Sequence, residues 1–383
     1  MRIAVVSRIY RPEPAAASLF LGAVVDALLA EGHEVDVLTA TPPPGMRPES
    51  RGERVRSRRV LRDASGYVRG YAGYMSFDIP LAFRLLVLPK PHVVLVEPPP
   101  TTGAVVRLVC ALRRIPYVYD AADIWSDAAQ LEDVPGWVIR ALRAVERFAL
   151  RGASHIVTVS EGVVRRVREL GAKRAVTVTG FGADVDEFPV TVGEREPVFV
   201  YAGSYSPYHG SDIFIDGFAR FLETHPGHRL RFIGNGVERP RLQARAHELG
   251  ITGSVDYLDP VPPSELVPHL ASAAASLASI KPDTVYEYSY ASKAFSSLNV
   301  GCPVLFTGPG PTIDLLENAN EHVRAGEACA YDADAVAAAM ARLVDEPASS
   351  DEREALGRWA AEHHSLQAVA RYVADVVIAT GGR

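Results

Sequence analysis

Short apolar runs alternate with helix-spaced apolar positions along the chain, a pattern that predicts parallel sheets covered by helices. Ile3-Ala4-Val5-Val6 reads as a first strand. Leu21, Val24, Val25, Leu28 and Leu29 then mark one helix face, which Gly32 ends. Strands are expected over 35–39, 92–96, 117–120, 156–159 and 176–179. Between them Val138, Ala141, Leu142, Val145 and Ala149 form a helical stripe, and Ser160 supplies the N-cap of a helix carrying Val163, Val164, Val167 and Leu170.

Residues 182–197 are acidic, punctuated by glycine and proline, and without a sustained apolar period. A second series follows, with strands at 198–201, 230–233, 255–258, 275–279 and 303–307 and a helix carrying Phe214, Phe218, Phe221 and Leu222 on one face. The expectation is an α/β protein of two doubly wound domains, 1–185 and 198–360, joined by a linker at 186–197. A helix within 361–383 is expected to pack back on the first domain. In such sheets ligands sit beyond the carboxyl ends of the strands, and the cleft between two domains is the default site.

Composition narrows the function. The 383 residues carry a formal charge of −6, which argues against a nucleic-acid binder. Cys110, Cys302 and Cys329 are widely spaced and form neither a zinc pattern nor a disulfide framework, so a reducing, cytoplasmic compartment is the default. The first apolar run is too short for a signal core, and no stretch reaches the ~18 apolar residues of a membrane span. Lysine occurs only at 90, 173, 281 and 293 in an arginine-rich chain, which draws attention to each one.

An ordered set of motifs carries a resemblance. In the second half it runs Tyr201-Ala202-Gly203-Ser204, Tyr208-His209-Gly210-Ser211-Asp212, Phe232-Ile233-Gly234-Asn235-Gly236, Tyr257-Leu258-Asp259-Pro260, Ala291-Ser292-Lys293-Ala294-Phe295 and Gly301-Cys302-Pro303-Val304. In the first half Tyr10-Arg11-Pro12-Glu13-Pro14 precedes Ala15-Ala16, Glu31-Gly32-His33 ends a helix, and Asp123-Ile124-Trp125 follows a strand. Together these resemble family 4 glycosyltransferases of the GT-B fold, two Rossmann-like domains facing across a cleft, nearest to the N-acetylfucosamine-transferase branch.

The resemblance implies a retaining hexosyltransferase that needs no metal or other cofactor. Its donor would be a nucleotide-diphosphate sugar, with UDP or GDP favoured, held by the second domain. The acceptor would be a small molecule or a lipid-linked sugar. A metal-free site must meet the charge of the leaving diphosphate with backbone N–H groups, helix N-termini and basic side chains. Gly203, Ser204, His209, Gly234, Asn235, Gly236, Leu258 (for the base), Lys281, Ser292 and Lys293 are therefore the donor candidates. Lys293 stands where a helix should begin, so its charge and the helix dipole would act together. Glu287 is a sugar- or phosphate-side candidate. The carboxylate that grips the donor ribose in relatives falls on Ser296, which cannot accept two hydroxyls bidentately.

Asp123 is the catalytic candidate, as base or as an orienting group; an N-cap is the alternative. Arg11 and the Ala15-Ala16 turn are expected to face the donor phosphates from the first domain, while Arg8 and Arg11 as plain surface charges stay open. The stretch from Arg51 to Arg62, followed by Tyr67, Tyr71, Tyr74, Met75 and Phe77, suits an anionic membrane surface, a soluble anionic acceptor or a solvated strand face. Gly66, Gly70 and Gly73 suggest a mobile acceptor loop. Two other readings remain: a nucleotide-sugar epimerase, and a binding homologue impaired toward the donor.

Overall fold

The computed structural model describes residues 1–13, 15–63, 68, 70–131 and 134–382. It divides into two units, one of Met1–Gly180 with Val369–Arg383 and one of Phe181–Ala368. The stretch expected as a linker at 186–197 lies inside the second unit.

In the first unit the strands are β1 (Arg2–Val6), β2 (Glu34–Ala40), β3 (Arg54–Arg58), β4 (Val93–Val96), β5 (Tyr117–Ala121), β6 (His155–Thr158) and β7 (Ala175–Val178). They form one parallel sheet in the order β3-β2-β1-β4-β5-β6-β7. The central strands are apolar on both faces, as helices on each side require. Val373, Ala374 and Val377 of the Leu366–Gly381 helix bury against the same core as Val24, Val25 and Val93.

The second unit holds β8 (Val198–Ala202), β9 (Arg229–Ile233), β10 (Val255–Leu258), β11 (Ala275–Ser279), β12 (Val304–Thr307) and β13 (Gly326–Cys329). Its parallel sheet runs β10-β9-β8-β11-β12-β13. Phe199, Phe214, Phe218, Phe221 and Phe232 fill one of its cores. Each sheet has one place where the chain reverses its direction of winding: beside β1 and β4 in the first, beside β8 and β11 in the second. There the loops leaving adjacent strands diverge and open a crevice.

The loop expected around Gly70 and Gly73 is a helix. Gly70 and Gly73 belong to an 18-residue helix, Gly70–Val87, rather than to a loop, because Phe77, Leu81 and Leu85 give it a buried stripe that outweighs its glycines and Pro80. Gly66 and Tyr67, like Pro14, lie outside the described residues.

Candidate functional site

In the second unit the crevice lies at the reversal point. A pocket of about 220 Å³ is lined by Ala202, Gly203, Ser204, Tyr208, His209, Ser292, Lys293 and Ser296. Gly203 and Ser204 leave the end of β8, and Ser292 and Lys293 open the Lys293–Val300 helix. Six sequence candidates thus meet in one place: Gly203, Ser204, His209, Ser292, Lys293 and Ser296.

The Lys293 ammonium lies 4.8 Å from the centre of the Tyr201 ring. Among the described residues no carboxylate pairs with it, and burial alone pulls its pKa down to about 8. Ser292, at the helix N-cap, makes no side-chain capping bond. The Ala294 and Phe295 N–H groups bond to the Ala291 and Ser292 carbonyls at 2.9 and 3.1 Å, so this helix end adds its dipole to the ammonium rather than a row of free donors. A desolvated cation beside a helix N-terminus is a site for an anion.

His209, 8% exposed, is held neutral: burial first, and then the Lys293 charge, lower its pKa to about 3. Its ring packs 4.2 Å from that of Tyr208, and its Nδ1 is buried without a partner among the described residues. The histidine therefore offers the pocket hydrogen bonding rather than charge. Ser296 Oγ donates to the Lys293 carbonyl at 3.1 Å, which leaves its lone pairs as acceptors.

Gly203 adopts φ +135°, and a Cβ there would stand 3.2 Å from Lys293 Cε, so the glycine makes room for the lysine stem. Gly234 and Gly236 have another reason to be glycine. A Cβ on Gly234 would meet the Gly203 carbonyl at 2.0 Å, and one on Gly236 would meet the Tyr205 carbonyl at 2.5 Å. Their loop packs on the Gly203–Tyr205 loop, and Asn235 serves it by accepting the Tyr205 N–H on its carbonyl and the Gly236 N–H on its side chain. The Leu258 carbonyl, expected near the base, accepts the Gly234 N–H at 3.0 Å. These residues support the pocket wall from behind.

Two candidates stand apart. Lys281 is exposed and does not line the pocket. Glu287 lines a separate pocket of about 450 Å³ with Pro282, Gly308, Ile313, Glu317 and Tyr331, and its carboxylate accepts the Asp283 N–H.

In the first unit a set of carboxyl groups gathers at the strand ends beside the reversal point. Glu97 follows β4, Asp120 lies near the end of β5, and Asp123 follows β5. Burial pushes Glu97 up to about 7, against the opposing pull of Ser7 and Arg8. Burial, then repulsion from Glu97 and Asp123, pushes Asp120 up to about 8. Ser7 Oγ lies 2.7 Å from the Ile9 carbonyl and 2.9 Å from Glu97 Oε2. One hydroxyl hydrogen cannot serve both, and a protonated Glu97 donating to Ser7 resolves the conflict.

Asp123 is solvent-exposed, yet desolvation by its surroundings raises its pKa. The N-cap alternative fails. The Trp125–Ala128 turn is capped from a distance by Glu146, which accepts the Trp125 and Ser126 N–H groups at 2.8 and 3.1 Å. Asp123 makes no hydrogen bond among the described residues and is free for a ligand.

Arg8, 4% exposed, is no surface charge: its guanidinium lies over Tyr74 at 4.2 Å and near Trp125 at 5.7 Å. Arg11, expected at the donor phosphates, has its guanidinium engaged within its own unit. It forms a two-point ion pair with Asp26 and donates to Glu53, Tyr10 and the Gly22 carbonyl. These partners use its charge within the fold. Ala15 and Ala16 stand at the start of the Ala16–Ala30 helix, where Ala15 has no side chain to cap it. The arginines of the 51–62 stretch are largely paired: Arg51 with Asp26, Arg54 and Arg56 with Asp36, and Arg62 with Glu13.

Sequence reasoning passed over Glu97 and Asp120. The signal for Glu97 was present: a lone carboxylate closes the apolar run 93–96, ahead of three prolines. Asp120 sits inside an apolar strand and carries no such mark.

Comparison with known proteins agrees with this architecture. Residues 17–182 match a glycosyl transferase 4-like domain and residues 182–363 match the group 1 glycosyl transferases. A D-inositol 3-phosphate glycosyltransferase of Nocardia farcinica is 28% identical over 219 residues, 51% of this chain and 47% of that protein. The match thus spans about half the length of the curated relative. Sucrose-phosphate synthase from Thermosynechococcus elongatus superposes with a TM-score of 0.73 at 17% identity, covering 98% of each chain. Anabaena HepE in complex with UDP gives 0.68 at 13% identity, covering 99% of this chain and 100% of that one. Such likeness shows the fold. With both domain families in order, the chain belongs to the glycosyltransferases of the GT-B fold.

Proposed function

We propose that the chain transfers a glycosyl group from a nucleotide-diphosphate sugar to a hydroxyl acceptor, with retention at the anomeric carbon and without a metal. The observation that carries this reading is the unpaired, desolvated Lys293 at a helix N-terminus, in a pocket whose ~220 Å³ suits a diphosphate rather than a whole nucleotide sugar. HepE, solved with UDP, supports a uridine donor by analogy. A place in the N-acetylfucosamine-transferase-like branch rests on Lys293 and Glu287 at their motif positions.

In the reaction the bond from the anomeric carbon to the phosphate oxygen breaks as the acceptor oxygen bonds to that carbon. The acceptor proton passes to a leaving-phosphate oxygen. Lys293 and the dipole of the helix it opens stabilise the charge that develops on the diphosphate, with His209 donating or accepting as a neutral ring. Glu97, Asp120 and Asp123 offer hydrogen-bond acceptors for the hydroxyls of a small-molecule or lipid-linked acceptor.

Incubation of the purified protein with UDP- and GDP-sugars and a panel of acceptors tests this. Acceptor-dependent release of nucleoside diphosphate is expected. Conversion of the donor without any acceptor would point to an epimerase, and failure to bind any donor would point to a non-catalytic homologue.

A further inference from the structure

Three helices of the first unit stand side by side: Gly70–Val87, Pro100–Arg113 and Gly136–Gly152, with the middle one packed against both neighbours. Their outer surface is apolar to an unusual degree. Phe83 is 68% exposed, Val87 82%, Leu112 74% and Trp137 66%, and Tyr71, Ile79 and Leu108 are exposed beside them. Large apolar side chains gathered on adjacent helices mark an interaction surface.

The charge on these helices is one-sided. They contain seven arginines and two carboxylates, Asp78 and Glu146. Both carboxylates are buried, Asp78 against Thr102 and Glu146 against the Trp125–Ser126 backbone. Among the described residues of these helices no acidic side chain is exposed, although the chain as a whole is acidic at −6. None of the seven arginines has an ion-pair partner among the described residues, whereas Arg54, Arg56 and Arg62 are paired. Arg140, Arg147 and Arg151 are exposed on the third helix, which also carries Trp137 and Phe148.

We propose that this face docks on an anionic lipid bilayer. The partner must be negative to match the unpaired arginines, and it must accept aromatic and aliphatic side chains across three convex helices. Aromatics interleaved with arginine suit the boundary between headgroups and acyl chains. An acidic protein partner would meet the arginines but would leave Phe83, Val87 and Leu112 against a polar surface. No helix among the described residues is long and apolar enough to cross a membrane, so the contact is peripheral. The surface belongs to the first unit alone and does not depend on the donor assignment.

The test is sedimentation of the full chain with phosphatidylcholine vesicles containing 30% or no phosphatidylglycerol. Binding is expected to the anionic vesicles and to weaken in salt. Arg140→Gln/Arg147→Gln/Arg151→Gln should lower partitioning on the order of 100-fold, at roughly fivefold per arginine. Phe83→Ser/Leu112→Ser should also release the protein. All these positions are on the surface, and circular dichroism verifies folding. Trp137 gives a second readout: its emission should shift to the blue on anionic vesicles and the shift should vanish in Trp137→Phe. Absence of binding at low salt, or binding unaltered in both multiple variants, would overturn the proposal. So would a stable dimer in solution that both variants dissociate.

Discussion

The Lys293 ammonium stands 4.8 Å from the centre of the Tyr201 ring, with Gly203 clearing space for its stem. The aromatic face supplies the local compensation for a cation that lacks a carboxylate. An anion entering this pocket would complete the arrangement.

An unpaired desolvated cation weakens the empty protein. The Lys293 pKa lies at about 8 against an ordinary 10.5, so folding is penalised below pH 8 and the penalty is relieved as pH rises toward 10.5. Lys293→Met should therefore raise the melting temperature of the empty protein at pH 7. Because water still reaches part of the residue, the gain should be small, on the order of 1–3 °C for a unit of this size. The advantage should disappear near pH 10. Calorimetric scans at the two pH values check this, and a lower melting temperature at pH 7 would contradict it.

Two glycines of the same region should respond differently to alanine. At Gly203 the new Cβ meets only the end of a flexible lysine, at a positive φ, so Gly203→Ala should cost about 1 kcal/mol of stability and displace Lys293. At Gly234 the Cβ would fall 2.0 Å from a backbone carbonyl, and Gly234→Ala should lose several kcal/mol or fail to fold. Denaturant melts and nucleotide titrations separate the two effects. Equal losses of stability would count against the packing described.

Much of this was legible from the pattern of residues. The strands at 255–258 and 275–279 fall where their apolar runs put them, and β8 and β12 differ by one residue at an end. Two edge strands were not. Arg54–Arg58 alternates arginine with small side chains over an exposed edge, and Gly326–Cys329 has neither β-branched nor aromatic residues. Sheet pairing rather than propensity makes them strands. Ser292-Lys293 was legible as a helix start carrying a rare lysine. The fate of Arg11 was not, because its partners Asp26 and Glu53 are 15 and 42 residues distant in sequence. For the same reason the capping of Trp125 by Glu146 could not be seen.

Arg11 should prove structural. It pairs with Glu53, whose side chain is fully buried, and with Asp26. Arg11→Ala should destabilise the chain by on the order of 3 kcal/mol, because it strands a buried carboxylate. Nucleotide affinity below the melting transition should be unchanged. A selective loss of nucleotide binding would return Arg11 to the donor site.

The Glu97 carboxyl, raised to about 7, favours its neutral form in the fold. Its contribution to stability is complete below the ordinary carboxylate range and is lost as pH rises through 7. Glu97→Gln is neutral at every pH. Relative to wild type it should gain melting temperature between pH 5 and pH 8.5, while the pH–rate profile loses a limb near neutrality. A constant difference across that range would show that Glu97 is ionised throughout.

The most direct test of the donor assignment is calorimetric titration of UDP and GDP into wild-type protein and Lys293→Met at pH 7. A charge-assisted contact to phosphate contributes about 1.5–3 kcal/mol, so the account predicts binding of one of the two nucleotides and a loss of roughly 10- to 150-fold in the variant. Equal affinity in the two proteins would contradict it.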